Sequence, residues 1–390
     1  MAEYVLMNKE NKVARLLYDN NTHKAVKILE VYDLRYAPPG ALNVAGEMNG
    51  ISFSAWFERR AIPASRAHIQ NVLERLSLKS TLDLAERNFG LSLSDQYWLN
   101  SVEEPVKWKD INFFDNDFSE DLGFLTLGYN EHFKGNIDLF SPNSTLGGDL
   151  EKKWTIINGE RILLKSGSGF VRQEVYNEVI AACLHKRLLS PEEYVPYWFY
   201  ETGNEITCAC RNMLSDNEEL VSAYDLTECR KKRNDESMYQ FTVRCFKEAG
   251  LDDIETFFCK MFACDFILAN EDRHYRNFGA IRNVETLEYI RPAPIFDTGT
   301  SLWCRNAHIR RLDGTFLHTA KPFKSGGENP LRQLERFSDY AWFEPDRLHG
   351  FVADVGDILL RNPNMPQNRI DIICQNVEEN IKTLKEFIRK

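Results

Sequence analysis

The sequence predicts an α+β protein with a β-rich N-terminal unit, a small strand-and-helix lobe, and a mostly helical C-terminal lobe. Three observations carry this. Short β-prone runs broken by polar or Pro/Gly turns fill residues 1–60 and return between 141 and 213. Residues 237–390 instead place apolar side chains at helical spacing. With 390 residues, 43% hydrophobic and 27% charged, the chain has material for two or three units of roughly 150 residues each. The boundaries this suggests are 1–123, 124–236 and 237–390.

In the first unit, YVLMN, VARLLYD, AVKILEVYDL and ISFSAWF read as strands. Ile69, Val72, Leu73 and Leu76 then mark one face of a helix. Residues 77–123 form a connector rich in Trp and Phe, whose rings read as packing. Beyond it, residues 141–169 hold a Ser/Thr/Gly loop and two strands joined at Asn158-Gly159, a pair that tolerates the positive φ of a tight hairpin. QEVYNEVIAACLHKRLL is helical, and YVPYWFYETGNEITCACRNML gives two more strands. LDDIETFFCKMFACDFILAN, apolar on most faces, predicts a buried helix. Ile370, Ile373, Val377, Ile381, Leu384 and Ile388 make the C-terminal segment an amphipathic helix packed on the body.

A net charge of −10 argues against unaided binding to nucleic acid. No apolar run approaches the 18 or so residues that cross a bilayer. The first residues, charged from Glu3 onward, lack the build of a signal peptide. Nine scattered cysteines, with Cys208 and Cys210 the closest pair, fit no familiar zinc spacing and read as reduced thiols of a cytoplasmic protein. His308 and His318, near Cys304, likewise match no metal motif.

The sharpest signal begins where the buried helix stops, at N-E-D-R-H-Y-R-N-F-G, residues 270–279. Asp272 is followed five positions later by Asn277, and an apolar run at Ile295-Phe296 then ends in Asp297-Thr298-Gly299. That acid–amide–acid order suits phosphoryl transfer. One carboxylate orients a hydroxyl and takes its proton, while an amide and a second carboxylate hold Mg²⁺ against phosphate oxygens. There is no G-x-x-x-x-G-K-[ST], which disfavours a Walker-type ATPase.

Asp272-Arg273-His274-Tyr275-Arg276-Asn277-Phe278-Gly279 resembles the catalytic loop of HipA-like serine/threonine kinases, the toxin kinases of bacterial persistence systems. The D-R-H-x-x-N core is shared with phosphatidylinositol kinases. The resemblance runs from about 140 to 390, and less specifically through the N-terminal unit and its aromatic connector. It implies a bilobed, protein-kinase-like fold with the active site between a β-rich small lobe and a helical large lobe.

Position by position, the resemblance implies Asp272 as general base, with Asn277 and Asp297 as Mg²⁺ ligands. His274 takes the place of a donor near the γ-phosphate, or serves a turn, and Arg273 and Arg276 read equally as site donors or structural ion pairs. Lys165, ending the strand Arg161-Ile162-Leu163-Leu164-Lys165, matches the lysine that contacts the ATP phosphates. Glu178 is its expected partner, with Glu174 the runner-up. Thr145, Gly147 and Gly148 match a phosphate-covering loop, and Cys210, Arg211 and Asn212 a hinge facing adenine. Ser144 and Thr145 stand where such kinases modify their own loop.

The expected activity is transfer of the ATP γ-phosphate to a protein serine or threonine. The family's biology implies a translation-related protein substrate, such as an aminoacyl-tRNA synthetase, and a small DNA-binding antitoxin. Two rivals remain: a lipid or small-molecule kinase, which the negative charge and lack of a basic amphipathic helix disfavour, and a catalytically silent binding or co-repressor module.

Overall fold

The protein is α+β in the computed structural model, which describes residues 1–127, 137–202 and 205–389. In chain order the strands are β1 (Ala2–Asn8), β2 (Asn11–Asp19), β3 (Lys24–Val31), β4 (Tyr97–Ser101), β5 (Lys152–Ile157), β6 (Glu160–Lys165), β7 (Trp198–Thr202), β8 (Glu205–Arg211), β9 (Glu218–Ser222), β10 (Gly279–Asn283) and β11 (Tyr289–Pro292). The helices are α1 (Gly50–Glu58), α2 (Ile69–Leu76), α3 (Thr81–Arg87), α4 (Trp108–Ile111), α5 (Asp121–Thr126), α6 (Gln173–Leu188), α7 (Ala223–Glu228), α8 (Met238–Glu248), α9 (Ile254–Leu268), α10 (Pro330–Leu334), α11 (Phe351–Leu360) and α12 (Gln367–Ile388). Among the described residues, no helix is long and apolar enough to cross a membrane. None of the nine cysteines is in a disulfide.

The chain forms two compact units. The first is built from residues 1–165, 211–232 and 281–290, the second from 166–210, 233–280 and 291–390. Neither edge falls at 123 or 236, and the reason at 123 is aromatic. Trp98, Trp108, Phe113, Phe114 and Phe118 of the connector share one core with Trp154 of β5, so the expected boundary runs through a hydrophobic cluster. Burying such rings is worth about 1.5–3 kcal/mol each, which makes this a poor place for a chain to part.

In the first unit, β1 to β3 form an antiparallel meander, and β4 joins it from far along the chain with Tyr4 opposite Ser101. ISFSAWF is not a strand. It lies in α1, where Asn49 accepts from the Ile51 and Ser52 amides and Ser52 Oγ accepts from the Asn49 amide. Its aromatic content favours a strand, but Phe53, Trp56 and Phe57 recur at three and four, one buried helical face, and the cap decides the matter. The β5–β6 hairpin turns at Asn158 and Gly159 with φ of 53° and 81°, both left-handed as the turn requires. Residues 218–222 and 281–290 belong to this unit through a buried polar core: Arg282 donates to Glu219 at 2.5 Å and also reaches the Tyr97 hydroxyl, all three side chains being nearly sealed.

The second unit is helical around α9, whose residues are buried from Phe257 through Leu268 except Lys260. The amphipathic α12 buries Ile370, Ile373, Val377, Ile381 and Leu384. Its sealed Asn380 donates at 3.2 Å to both the Phe266 and Ile267 carbonyls in the last turn of α9, where the helix's own amides run out. β7 and β8 form a hairpin with Trp198 opposite Ala209.

Candidate active site

The end of α9 shapes the site. Asp265 is the one acid in the helix's otherwise apolar last turns, and it is only 5% exposed. Ala269 turns left-handed with φ 51° and stops the helix. Asn270 then donates to Asp265 Oδ1 at 2.8 Å and accepts the Asp272 amide at 3.0 Å. The chain therefore leaves an apolar helix through a satisfied polar turn.

Arg273 is the hub of the site. At 1% exposure, its guanidinium donates to both oxygens of Asp265, at 2.8 and 2.9 Å. It also donates to the carbonyls of Asn277 at 2.8 Å and Phe296 at 2.6 Å, and to the Thr298 hydroxyl at 3.0 Å. Burial works against its charge, but Asp265 and its hydrogen bonds hold the guanidinium's pKa above the ordinary value. One buried cation thus joins the loop 272–277 to the turn 296–298. Of the two roles open to Arg273, the structural one is what this geometry shows.

The turn at Asp297 is held from its other side by α6. Ile295 bridges in parallel to Tyr194, its amide donating to the Glu193 carbonyl. Asp297 itself has φ 56°, a left-handed conformation that aspartate and asparagine adopt more readily than most side chains. Glu178, 3% exposed, accepts the Thr298 amide at 3.0 Å. Asn177 donates to the Gly299 and Ser301 carbonyls at 2.7 and 2.8 Å, and Gln173 to that of Leu302 at 3.0 Å. A Cβ on Gly299 would lie 3.2 Å from the Glu174 carbonyl oxygen, so glycine lets the turn approach the helix. Glu174 itself binds the Ser168 amide at 3.2 Å.

Asn277 donates its side-chain N–H to the Asp272 carbonyl at 2.9 Å, which leaves its amide oxygen as the group to offer a cation. With the Asp297 carboxylate this is an oxygen donor set of the kind a hard divalent ion takes, so the residues present fit Mg²⁺. Asp272 carries Arg305 on Oδ2 at 3.2 Å and Lys321 on Oδ1 at 3.4 Å. His274 accepts the Arg276 amide at Nδ1, at 3.2 Å, which places the neutral ring's proton on Nε2. Burial lowers its pKa despite the nearby carboxylates of Asp272 and Asp297.

The two units divide the expected residues between them. Asp272, His274, Asn277, Asp297, Glu178 and Cys210 belong to the second unit, while Ser144, Thr145, Gly147, Gly148, Lys165, Arg211 and Asn212 belong to the first. Lys165 ends β6 as expected and is buried, at 4% exposure, rather than a surface lysine. Ser144 and Thr145 are both buried. Their hydroxyls donate to the Ser141 carbonyl at 2.9 Å and the Leu91 carbonyl at 2.6 Å, so modification of either requires the loop to open. The Asn212 amide donates to the Arg161 carbonyl at 2.9 Å and its side chain to Leu93, which engages the donors a hinge contact would use there. Arg211 pairs with Glu160 at 2.8 Å, and Cys210 is buried.

Sequence reasoning missed four supports: Asp265, Asn177, Gln173 and, in the first unit, Arg66. Arg66 is 3% exposed and gathers the carbonyls of the glycine loop, donating to Gly148 at 2.6 Å, Gly147 at 2.9 Å and, more closely still, Leu146. Burial depresses its pKa to about 10, although Asp149 and Glu151 oppose that. A single acid in the apolar run of α9 was the available clue to Asp265; nothing local marks the other three.

Two sealed histidines of the second unit set an acid limit on stability. Burial, helped by the charge of Arg273, pushes His185 down to about 3, and burial pushes His318 down to about 4. Unfolded imidazoles take a proton below about 6.5 and these do not, so the unfolded chain binds more protons as pH falls, and stability falls with it between 6.5 and 4. The expected loss from pH 7 to pH 5 is on the order of 2 kcal/mol per ring. Denaturant midpoints at the two values check this, and His318→Phe should flatten the dependence. A midpoint unchanged across the range contradicts it.

Comparison with known proteins gives a partial likeness. No family model matches the chain. Over 108 residues, 26% of this chain, it is 33% identical to the serine/threonine-protein kinase CtkA of Helicobacter pylori, and it spans about a third (32%) of that protein's length. The crystal structure of a proinflammatory kinase CtkA of Helicobacter pylori aligns with 61% of this chain and 94% of its own, at 19% identity and a TM-score of 0.45.

Proposed function

We propose that the protein is an ATP-dependent serine/threonine kinase of the HipA-like type. The observation that carries this is the Arg273 hub, which in one unit ties the loop 272–277, through the Asn277 carbonyl, to the Phe296 carbonyl and Thr298 hydroxyl on either side of Asp297. The named relative, a serine/threonine-protein kinase, supports the same reading over the part it matches.

In this reading the acceptor hydroxyl sits on Asp272. Its oxygen bonds to the γ-phosphorus as the bond from that phosphorus to the β-bridging oxygen breaks; the electron pair leaves with ADP, and the hydroxyl proton passes to the carboxylate. Asn277 and Asp297 would hold Mg²⁺, which when bound neutralises charge on the phosphate oxygens. Glu178 holds the Asp297 turn through the Thr298 amide. Lys165 and residues 144–149 are assigned to the phosphates, and Cys210 to Asn212 to adenine, on the resemblance. It also supplies the proposed partners: a translation-related protein acceptor and a small DNA-binding antitoxin.

Incubation with [γ-³²P]ATP and Mg²⁺ in a bacterial lysate tests the reading. The native chain is expected to label itself or discrete protein bands, and Asp272→Asn to lower the rate about 10²-fold, the usual worth of a positioned base. Equal labelling by the two, or label entering lipid instead of protein, refutes it.

A further inference from the structure

Asp272 is expected to act through a carboxylate, and two cations from outside its own loop meet that carboxylate. His274, two positions on, has its Nδ1 taken by the Arg276 amide. The cations come from a segment beyond the Asp297 turn, where Lys321 Nζ lies 3.4 Å from Asp272 Oδ1 and Arg305 lies 3.2 Å from Oδ2.

The two are placed differently. Arg305 is more than half exposed (56%), so water and salt screen its pairing. Lys321 is 37% exposed, and what sets it apart is the backbone it stands on. Ala320 and Glu328 exchange two backbone hydrogen bonds, at 2.8 and 3.0 Å, and the buried Gln333 of α10 donates to the Lys321 carbonyl. Two residues on, Phe323 is 8% exposed and packs edge-on against Tyr239, Phe262 and Tyr275. Arg336 lies over the Phe323 ring, 5.5 Å from its centroid, and pairs with Glu328 at 2.8 Å, closing the same knot. So much anchoring around a lysine that ends on the expected base exceeds what a surface ion pair needs.

Resting on the kinase reading above, we infer that Lys321 is a positioning residue for phosphoryl transfer, its ammonium holding the Asp272 carboxylate in the orientation that receives the acceptor hydroxyl. The ammonium does this as a charge 3.4 Å from Oδ1, so another cation at the same place should hold the carboxylate as well. The effect falls on turnover and not on nucleotide binding, because the carboxylate that Lys321 meets is that of Asp272, which is assigned to the acceptor hydroxyl and not to the nucleotide.

The test measures kcat and ATP KM of the full chain, with Mg·[γ-³²P]ATP and myelin basic protein as acceptor, for the native protein, Lys321→Met, Lys321→Arg, Lys324→Met and Asp272→Asn. Lys321→Met is expected to lower kcat about tenfold with KM within about twofold of native. Lys321→Arg should recover most of that loss, and the exposed Lys324→Met should match the native chain. Thermal melts identify any variant that has simply unfolded, and the arginine rescue separates charge from packing. Native kcat in a folded Lys321→Met overturns the inference alone, provided Asp272→Asn is slow. A raised kcat overturns it too, by showing Lys321 to be a restraint on the base. A native chain that transfers no phosphate, or an Asp272→Asn as fast as native, overturns the kinase reading together with the inference.

Discussion

Arg273→Met is expected to destabilise the second unit by roughly 3–5 kcal/mol, the usual penalty for leaving one member of a buried ion pair without its partner. Asp265 would keep only the Asn270 amide on a carboxylate that is 5% exposed. The carbonyls of Asn277 and Phe296 would each lose a charged donor. Urea denaturation reads the loss directly. The informative partner is the double variant Asp265→Leu/Arg273→Met, which removes both buried charges and should regain a large part of the stability, as apolar replacement of a buried pair often does. It should not regain activity. The guanidinium also fixes the Asn277 and Phe296 backbones, and an apolar pair cannot do that. A double variant as active as the native chain would show that the hub is only ballast.

Asp297→Asn is expected to abolish phosphoryl transfer, by at least about 10³-fold, while leaving the melting temperature nearly unchanged. Asparagine keeps the size and tolerates the left-handed φ of 56° that most side chains resist, so the turn should hold its shape. What is lost is the charge. A large fall in stability with modest loss of activity would reverse the assignment to Mg²⁺ and make Asp297 a structural turn residue.

The parts of this site differ in how legible they were in the sequence, and the difference is one of range. Asp272, Asn277 and Asp297 announce themselves because acids and amides at the ends of apolar runs are locally odd. The hairpin at Asn158-Gly159 and the buried α9 are local patterns too, and the structure contains both. What holds the site together is not local. Gln173 reaches the Leu302 carbonyl and Asn177 that of Gly299, partners more than a hundred residues away. Such polar groups in a helix look like ordinary surface residues until the fold brings them to loop carbonyls. The hairpin β10–β11, which separates Asn277 from the Asp297 turn, went unread because its strands are only five and four residues long.

At α1 the error was of another kind. Phe, Trp and Ile favour strands in isolation, and the three-and-four spacing of Phe53, Trp56 and Phe57 was outweighed by composition. The unit edges differ from 123 and 236 for a third reason: the connector's rings, which do read as packing, share a core with Trp154 on the far side of residue 123.

The central claim is that the Asn277 and Asp297 oxygens take a divalent ion together with a nucleotide, beside Asp272. Electron paramagnetic resonance of Mn²⁺ with the full chain and the imido analogue of ATP tests it most directly. The native protein should immobilise about one Mn²⁺ only when the nucleotide is present, and a folded Asp297→Asn should leave the free six-line signal nearly intact. Equal immobilisation by both proteins would contradict the account.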